Sequence, residues 1–368
     1  VSCSSSKKTQ GKISPGISGI RFISEYTIPN NLQFNGITVG GLSGIDYDTK
    51  RDLYYMICDD PSAISPARFY TAKIVIGQKG IDSIQFIRVD TLLDPEGKPY
   101  PDIRKDRIHS ADLEAMRYDD SRDEFIVSSE GQRVIRDSIR DLQNPAIVIT
   151  DRNGRYKDSF ALPSNMQIRF EEKGPRHNSV FEGLSFDVDH SHVYVNVEEP
   201  LYEDGPKAGT GDSTAVIRIL KFNRGLKQCV AQYLYEIDPV PYPANPPGAF
   251  KINGVPDILF LGNDKFIVIE RAFSTGRIPT DIKIFLADAA NAEDISLLPS
   301  IKTLPANQYI SKRLLLDVNK ALPFDIFNIE GVTFGPILAN GHRSLVLVTD
   351  NNFNVREKTQ FFLFEVLP

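Results

Sequence analysis

Apolar and polar residues alternate through NSVFEGLSFDVDHSHVYVNVEE (178–199), with a polar turn at 187–191 and an abrupt stop on two carboxylates. A period of two broken by a short polar turn predicts a β-hairpin with an acidic tip. The phrase recurs at 41–60 (GLSGIDYDTKRDLYYMICDD), 111–130, 254–271 and 329–352. Alignment puts Ser43, Glu114, Glu182, Asp257 and Glu330 in one phase, about 70 residues apart. Such a period means repetition of one supersecondary unit, here lengthened by polar, proline-containing excursions.

The first unit predicts strands near 37–47, 53–58, 67–76 and 83–92. In the second they fall near 111–118, 124–129, 146–150 and 156–162, with a short helical turn within 134–142. The third gives 180–187, 192–197, 214–222 and 228–237; the fourth gives 250–261, 265–270, 280–287 and 313–317, with a helical turn at 289–298. Only 327–334, 344–349 and 359–366 remain for the fifth, while a lone strand at 17–29 precedes the first unit. In a propeller such an orphan completes the last blade and closes the ring. The expectation is an all-β fold, a β-propeller of five four-stranded blades over 17–368, behind a flexible tether at 1–16. A sixth blade within 201–250 is the alternative.

Composition fits a chain able to bury a core: 41% of residues are hydrophobic and 24% charged. The net charge of −6 leaves no basic footprint for nucleic acid. No apolar run is long enough for a membrane-spanning helix. The opening VSCSSSKKTQGK resembles the mature start of a bacterial lipoprotein. A lipid on Cys3 and a periplasmic or cell-surface location are expected, with membrane contact through that lipid alone. Cys58 and Cys229 form neither a disulfide framework nor a zinc spacing with the histidines.

Loops at one end of a propeller share a rim around the channel. Equivalent positions in the repeat therefore gather Glu114, Glu182, Asp257 and Glu330 with Asp59, Asp60, Glu130, Glu198, Glu199, Glu270 and Asp350. Carboxylates so crowded repel unless cations neutralise them, and an all-oxygen donor set suits a hard cation, Ca²⁺ before Mg²⁺. Asn178, Asn328, Asn351 and Asn352 offer amide oxygens. Arg68 and Arg271 flank the ring and are placed to clamp an anionic substrate. His109, His177, His190, His192 and His342 show no pairing that fixes a nucleophile, and no GxSxG elbow or P-loop occurs.

The segments GLSGIDYD, CDDPSAISPARFY, DLEAM with SSE, NSVFEGLSFD with NVEE, VIERAFSTG and NIEGVTFGPILANGHRSLVLVTDNNF resemble a phytase-like β-propeller family, bacterial proteins described as having the esterase-like activity of phytase. The resemblance runs from about Ser18 to the C-terminus and implies an envelope or secreted propeller, calcium and phosphoester hydrolysis. DDPSAIS is similar to the acidic DDPA-type segment of alkaline β-propeller phytases, whose other signature segment is not evident. The leading expectation is a monomeric, calcium-dependent hydrolase of a small phosphate ester. Glu182, Glu330 and Glu114 serve as ligands or base, the remaining acids as ligands, and Arg68 and Arg271 as substrate contacts. The alternatives are a non-catalytic calcium-stabilised propeller that binds a glycan, peptide or envelope partner, and a lactonase-like carboxylic-ester hydrolase.

Overall fold

The structure is a computed structural model and describes residues 16–277, 279–298, 301 and 304–368. Cys3 and the expected tether, up to residue 15, lie outside the described residues. Among the described residues five antiparallel blades follow the repeat in order, each four strands deep, the innermost position of blade 4 being shared by Lys251–Gly254 and Ile258–Gly262. Their innermost strands are Leu42–Asp48, Leu113–Asp119, Phe181–Phe186, Ile258–Gly262 and Asn328–Ile337. Residues 201–250 complete blade 3 and carry no sixth blade. Strand Gly19–Ile28 pairs with Thr359–Leu367 as the outer strand of blade 5 and closes the ring.

Alternation makes each blade two-faced, so each core lies between neighbours. In Leu53–Cys58, Tyr54 and Met56 pack toward Val346 and Phe361 of blade 5, whereas Tyr55 and Ile57 pack toward Met116 and Phe125 of blade 2. Around the channel a hydrogen bond crosses each boundary in turn: Ser43 to Leu113, Ser128 to Glu182, Phe260 to Ser185, Val332 to Asp257, and Thr333 to Asp46.

Two segments differ from expectation. Residues 134–142 lie in a hairpin of Gln132–Arg136 with Ile139–Gln143, because Asp137 adopts a positive φ of 49° at its turn. Residues 289–298 make turns and no helix. No helix among the described residues is long and apolar enough to cross a membrane.

Candidate active site: a carboxylate cup at the channel mouth

Four of the five inner strands carry a register shift at the repeated position, beside Ser43, Glu114, Glu182 and Glu330. A bulge re-aims one side chain without ending the strand, and here it turns the glutamates toward a common point. The glycine after two of them meets a separate demand. A Cβ on Gly183 would lie 2.5 Å from the Asp257 Cα, and one on Gly331 would lie 3.0 Å from the Ile45 nitrogen. The Glu-Gly pair thus supplies one site group and one close approach between inner strands.

Carboxylate oxygens within 4.8 Å of one another define three overlapping triads: Asp112, Glu114 and Glu130; Glu114, Glu182 and Glu330; Glu130, Glu182 and Glu198. Asp59 and Asp350 extend the cup on the side of blades 1 and 5, where burial first and the nearby Glu330 charge after it raise the pKa of each. Above it opens a cavity of about 840 Å³ lined by Asp59, Glu114, Glu182, Glu198, Glu330 and Asp350, with Arg271 in the wall. Arg271 donates to Glu198 Oε1 at 2.5 Å and to Asn328 Oδ1 at 2.7 Å, and pairs with Glu330 Oε1 at 3.0 Å. Burial opposes its charge, but Glu330, Glu198 and Glu182 more than offset that and hold its pKa above the ordinary value.

Burial is the largest cause of strain in the acids. It lifts Glu114, Glu130, Glu182 and Asp59 well above the carboxylate range, and repulsion from neighbouring carboxylates adds to it. Asp112 rises to about 6, and Glu198 and Asp350 to about 7, again chiefly through burial. Glu130 accepts from the Val180 amide through Oε1 at 2.6 Å, yet its buried Oε2 has no hydrogen-bond partner among the described residues. An unsatisfied buried carboxylate oxygen is costly. A hard cation in this donor set would satisfy it. Asp112, Glu114, Glu130, Glu182, Glu198, Glu330, Asp59 and Asp350 are the residues that would hold one or more such ions.

A carboxyl whose pKa is higher in the folded than in the unfolded chain binds its proton more tightly when folded. Its penalty is absent below the unfolded value near 4 and accumulates up to the folded value. The metal-free protein should therefore lose on the order of 5–10 °C of Tm between about pH 4 and pH 7, and millimolar calcium should restore most at pH 7. A Tm flat across that window, with or without calcium, would contradict the cup.

Several expected members lie elsewhere, among them Glu199, which accepts from Ser179 Oγ at 2.5 Å and pairs with Lys207. Asp60 accepts from the amides of Ala63, Ile64 and Ser65 and pairs with Arg68 Nη1 at 2.8 Å. Arg68, 1% exposed, also donates to Tyr70, so this pair organises the 60–68 loop beneath the mouth and does not face the cavity. Glu270 points the other way, to Lys312, Tyr235, Asn253 and the Asp238 amide. Its strand, Lys265–Ser274, runs unbroken, so alternation gives the cavity to Arg271 and the opposite face to Glu270. Asp257 binds Arg117 Nη2 through both oxygens, at 2.8 and 2.7 Å, deeper in the channel. Arg117 also reaches the carbonyls of Ile45, Ile258 and Val332, which closes the floor of the cup. Asn178, Asn328 and Asn352 line the cavity, whereas Asn351 turns inward to hold the Gly41 and Phe353 amides. The five histidines engage groups outside the cup: Asp106, the Arg133 amide, Asp119, Asp187 and Glu365.

The cup and its repeat coincide with a family match. The phytase-like family, described as "Esterase-like activity of phytase", matches residues 37–353. The chain belongs to the phytase-like family. Among solved structures, this phytase-like chain is similar in fold to a Pseudomonas aeruginosa periplasmic gluconolactonase, at 10% identity and a TM-score of 0.37, covering 90% of this chain and 86% of that one. It is similar also to an α-L-arabinofuranosidase from Lactobacillus brevis, at 11% identity and a TM-score of 0.45, covering 88% and 91%. A third similar structure is a Bacillus subtilis arabinanase, at 11% identity and a TM-score of 0.42, covering 88% and 94%. Comparison with curated protein sequences gives no match.

Proposed function

We propose that this propeller is a calcium-dependent phosphoesterase acting on a small anionic phosphate ester at the carboxylate cup. The observation that carries the reading is Arg271, fixed by Glu198 and Glu330 in the wall of a cup whose Glu130 Oε2 lacks a partner. Bound calcium would neutralise the carboxylates and polarise a phosphoryl oxygen and water. The remaining chemistry belongs to the chain. Arg271 presents a planar guanidinium to phosphoryl oxygens and stabilises the charge that grows on them. Glu182, shared by two of the triads, is placed to accept a proton from attacking water at a carboxylate oxygen, with Glu114 and Glu330 beside it. Asn178 and Asn328 orient the ester from the rim, and the Arg117–Asp257 pair confines its approach to the mouth. An envelope location anchored through Cys3 is part of the same reading and rests on the opening VSCSSSKK.

Turnover of a generic aryl phosphate should disappear on chelation and return with calcium, while titration calorimetry follows calcium binding. Calcium binding without phosphate-ester turnover, or turnover of carboxylic esters alone, would overturn the assignment.

A further inference from the structure

One wall of the cavity differs chemically from the rest. The short strand Lys251–Gly254 pairs with the mouth end of Lys265–Ser274, setting Gly254 opposite Arg271 and Ile252 opposite Phe273. Alternation puts these four on one face, and Ile252, Arg271 and Phe273 of that face line the cavity. Gly254 is required there, since a Cβ would lie 2.6 Å from Glu198 Cγ and displace the carboxylate that holds Arg271. Two residues outward the wall becomes apolar. Phe250 stands 58% exposed with its ring 6.1 Å from that of Phe273, and Pro279 and the buried Phe327 line the same cavity, as does Arg277. A single exposed aromatic needs no explanation, but a pair of rings in contact beside a bed of carboxylates does.

We propose that this wall is the leaving-group subsite, and that it selects phosphate esters whose alcohol carries a planar apolar group. The inference rests on the phosphoesterase reading and names its substrate class. Two residues along a strand span about 7 Å, so a phosphoryl group at Arg271 sets the alcohol portion against Phe250 and Phe273. Flat rings stack there and bury aromatic surface. A small polyol phosphate would leave the same wall in water and gain nothing from it.

The test compares 2-phenylethyl phosphate with ethyl phosphate, both esters of primary alcohols, in calcium-loaded protein. The kcat/KM ratio of phenylethyl to ethyl ester should be on the order of 10 or more in the wild type. It should fall at least about fivefold in Phe250→Ala and in Phe273→Leu, and hold in Phe170→Ala, an exposed ring outside the cavity. A wild-type ratio near one, or a ratio that neither substitution moves, overturns the subsite and leaves the phosphoesterase standing. Hydrolysis of neither ester, nor of an aryl phosphate, overturns both.

Discussion

Glu182→Gln should lower phosphate-ester kcat/KM by about 10²–10⁴-fold while the protein stays folded and melts no lower than the wild type. Glu182 is the member common to the triads with Glu114 and Glu330 and with Glu130 and Glu198. The amide removes both a proton acceptor and one negative ligand from that junction. In the metal-free protein it should raise stability, because the carboxylate it replaces is penalised first by burial and then by Glu114, Glu130 and Glu198. Lost activity with a higher metal-free Tm and weaker calcium binding is the signature expected of a site group. A purely structural glutamate would show the reverse, with activity falling only as far as the fold does. Unchanged turnover would remove Glu182 from the mechanism.

Arg117→Met should cost about 3–5 kcal/mol of unfolding free energy by urea denaturation. The Arg117 side chain is 3% exposed and that of Asp257 1%, so the methionine leaves an unpaired acid in the centre of the ring. Burial already raises the Asp257 pKa to about 6 even with Arg117 holding it down. The carbonyls of Ile45, Ile258 and Val332 lose their donor at the same time. Adding Asp257→Leu should recover part of the loss, since an apolar pair avoids the stranded charge. A single-variant cost below about 1 kcal/mol would show that the blades do not depend on this plug.

The blades were legible because one phrase, repeated at a fixed interval, carries both hairpin and register. The orphan strand at 17–29 was legible by the same arithmetic, since the fifth unit lacked one strand. Most of the cup followed from phase alone: Glu114, Glu182 and Glu330 on inner strands, and Asp59, Glu130, Glu198 and Asp350 where the next strands reach the mouth. Phase failed in blade 4, whose inner strand breaks between Gly254 and Ile258 and where Arg271, not Glu270, faces the cavity. Asp112, just before the inner strand of blade 2, joins Glu114 and Glu130 in the cup but has no acidic counterpart in the other repeats, where Gly41, Val180, Val255 and Asn328 stand. The Arg117–Asp257 pair left only a faint trace, a basic residue on an inner strand, because its partner lies 140 residues away. Arg68 was misplaced for a chemical reason: a buried guanidinium takes the nearest carboxylate, and Asp60 is eight positions before it in sequence.

The seam between Gly19–Ile28 and Thr359–Leu367 also sets an order of events during synthesis. Arg21 and Glu365, which pair across it, are 344 residues apart. At about 5–20 residues per second the first strand waits on the order of 20–70 s before its partner exists. Blades 1 to 4 have their own strands as they emerge, but the edge of blade 5 stays open until Thr359–Leu367 has pairing access to Gly19–Ile28. The nascent chain therefore carries two unsatisfied edges, one at each end, and each can pair with another chain as readily as with the other. The seam joins the two strands farthest apart in the sequence, and until it anneals both edges are open to strand exchange with a second copy.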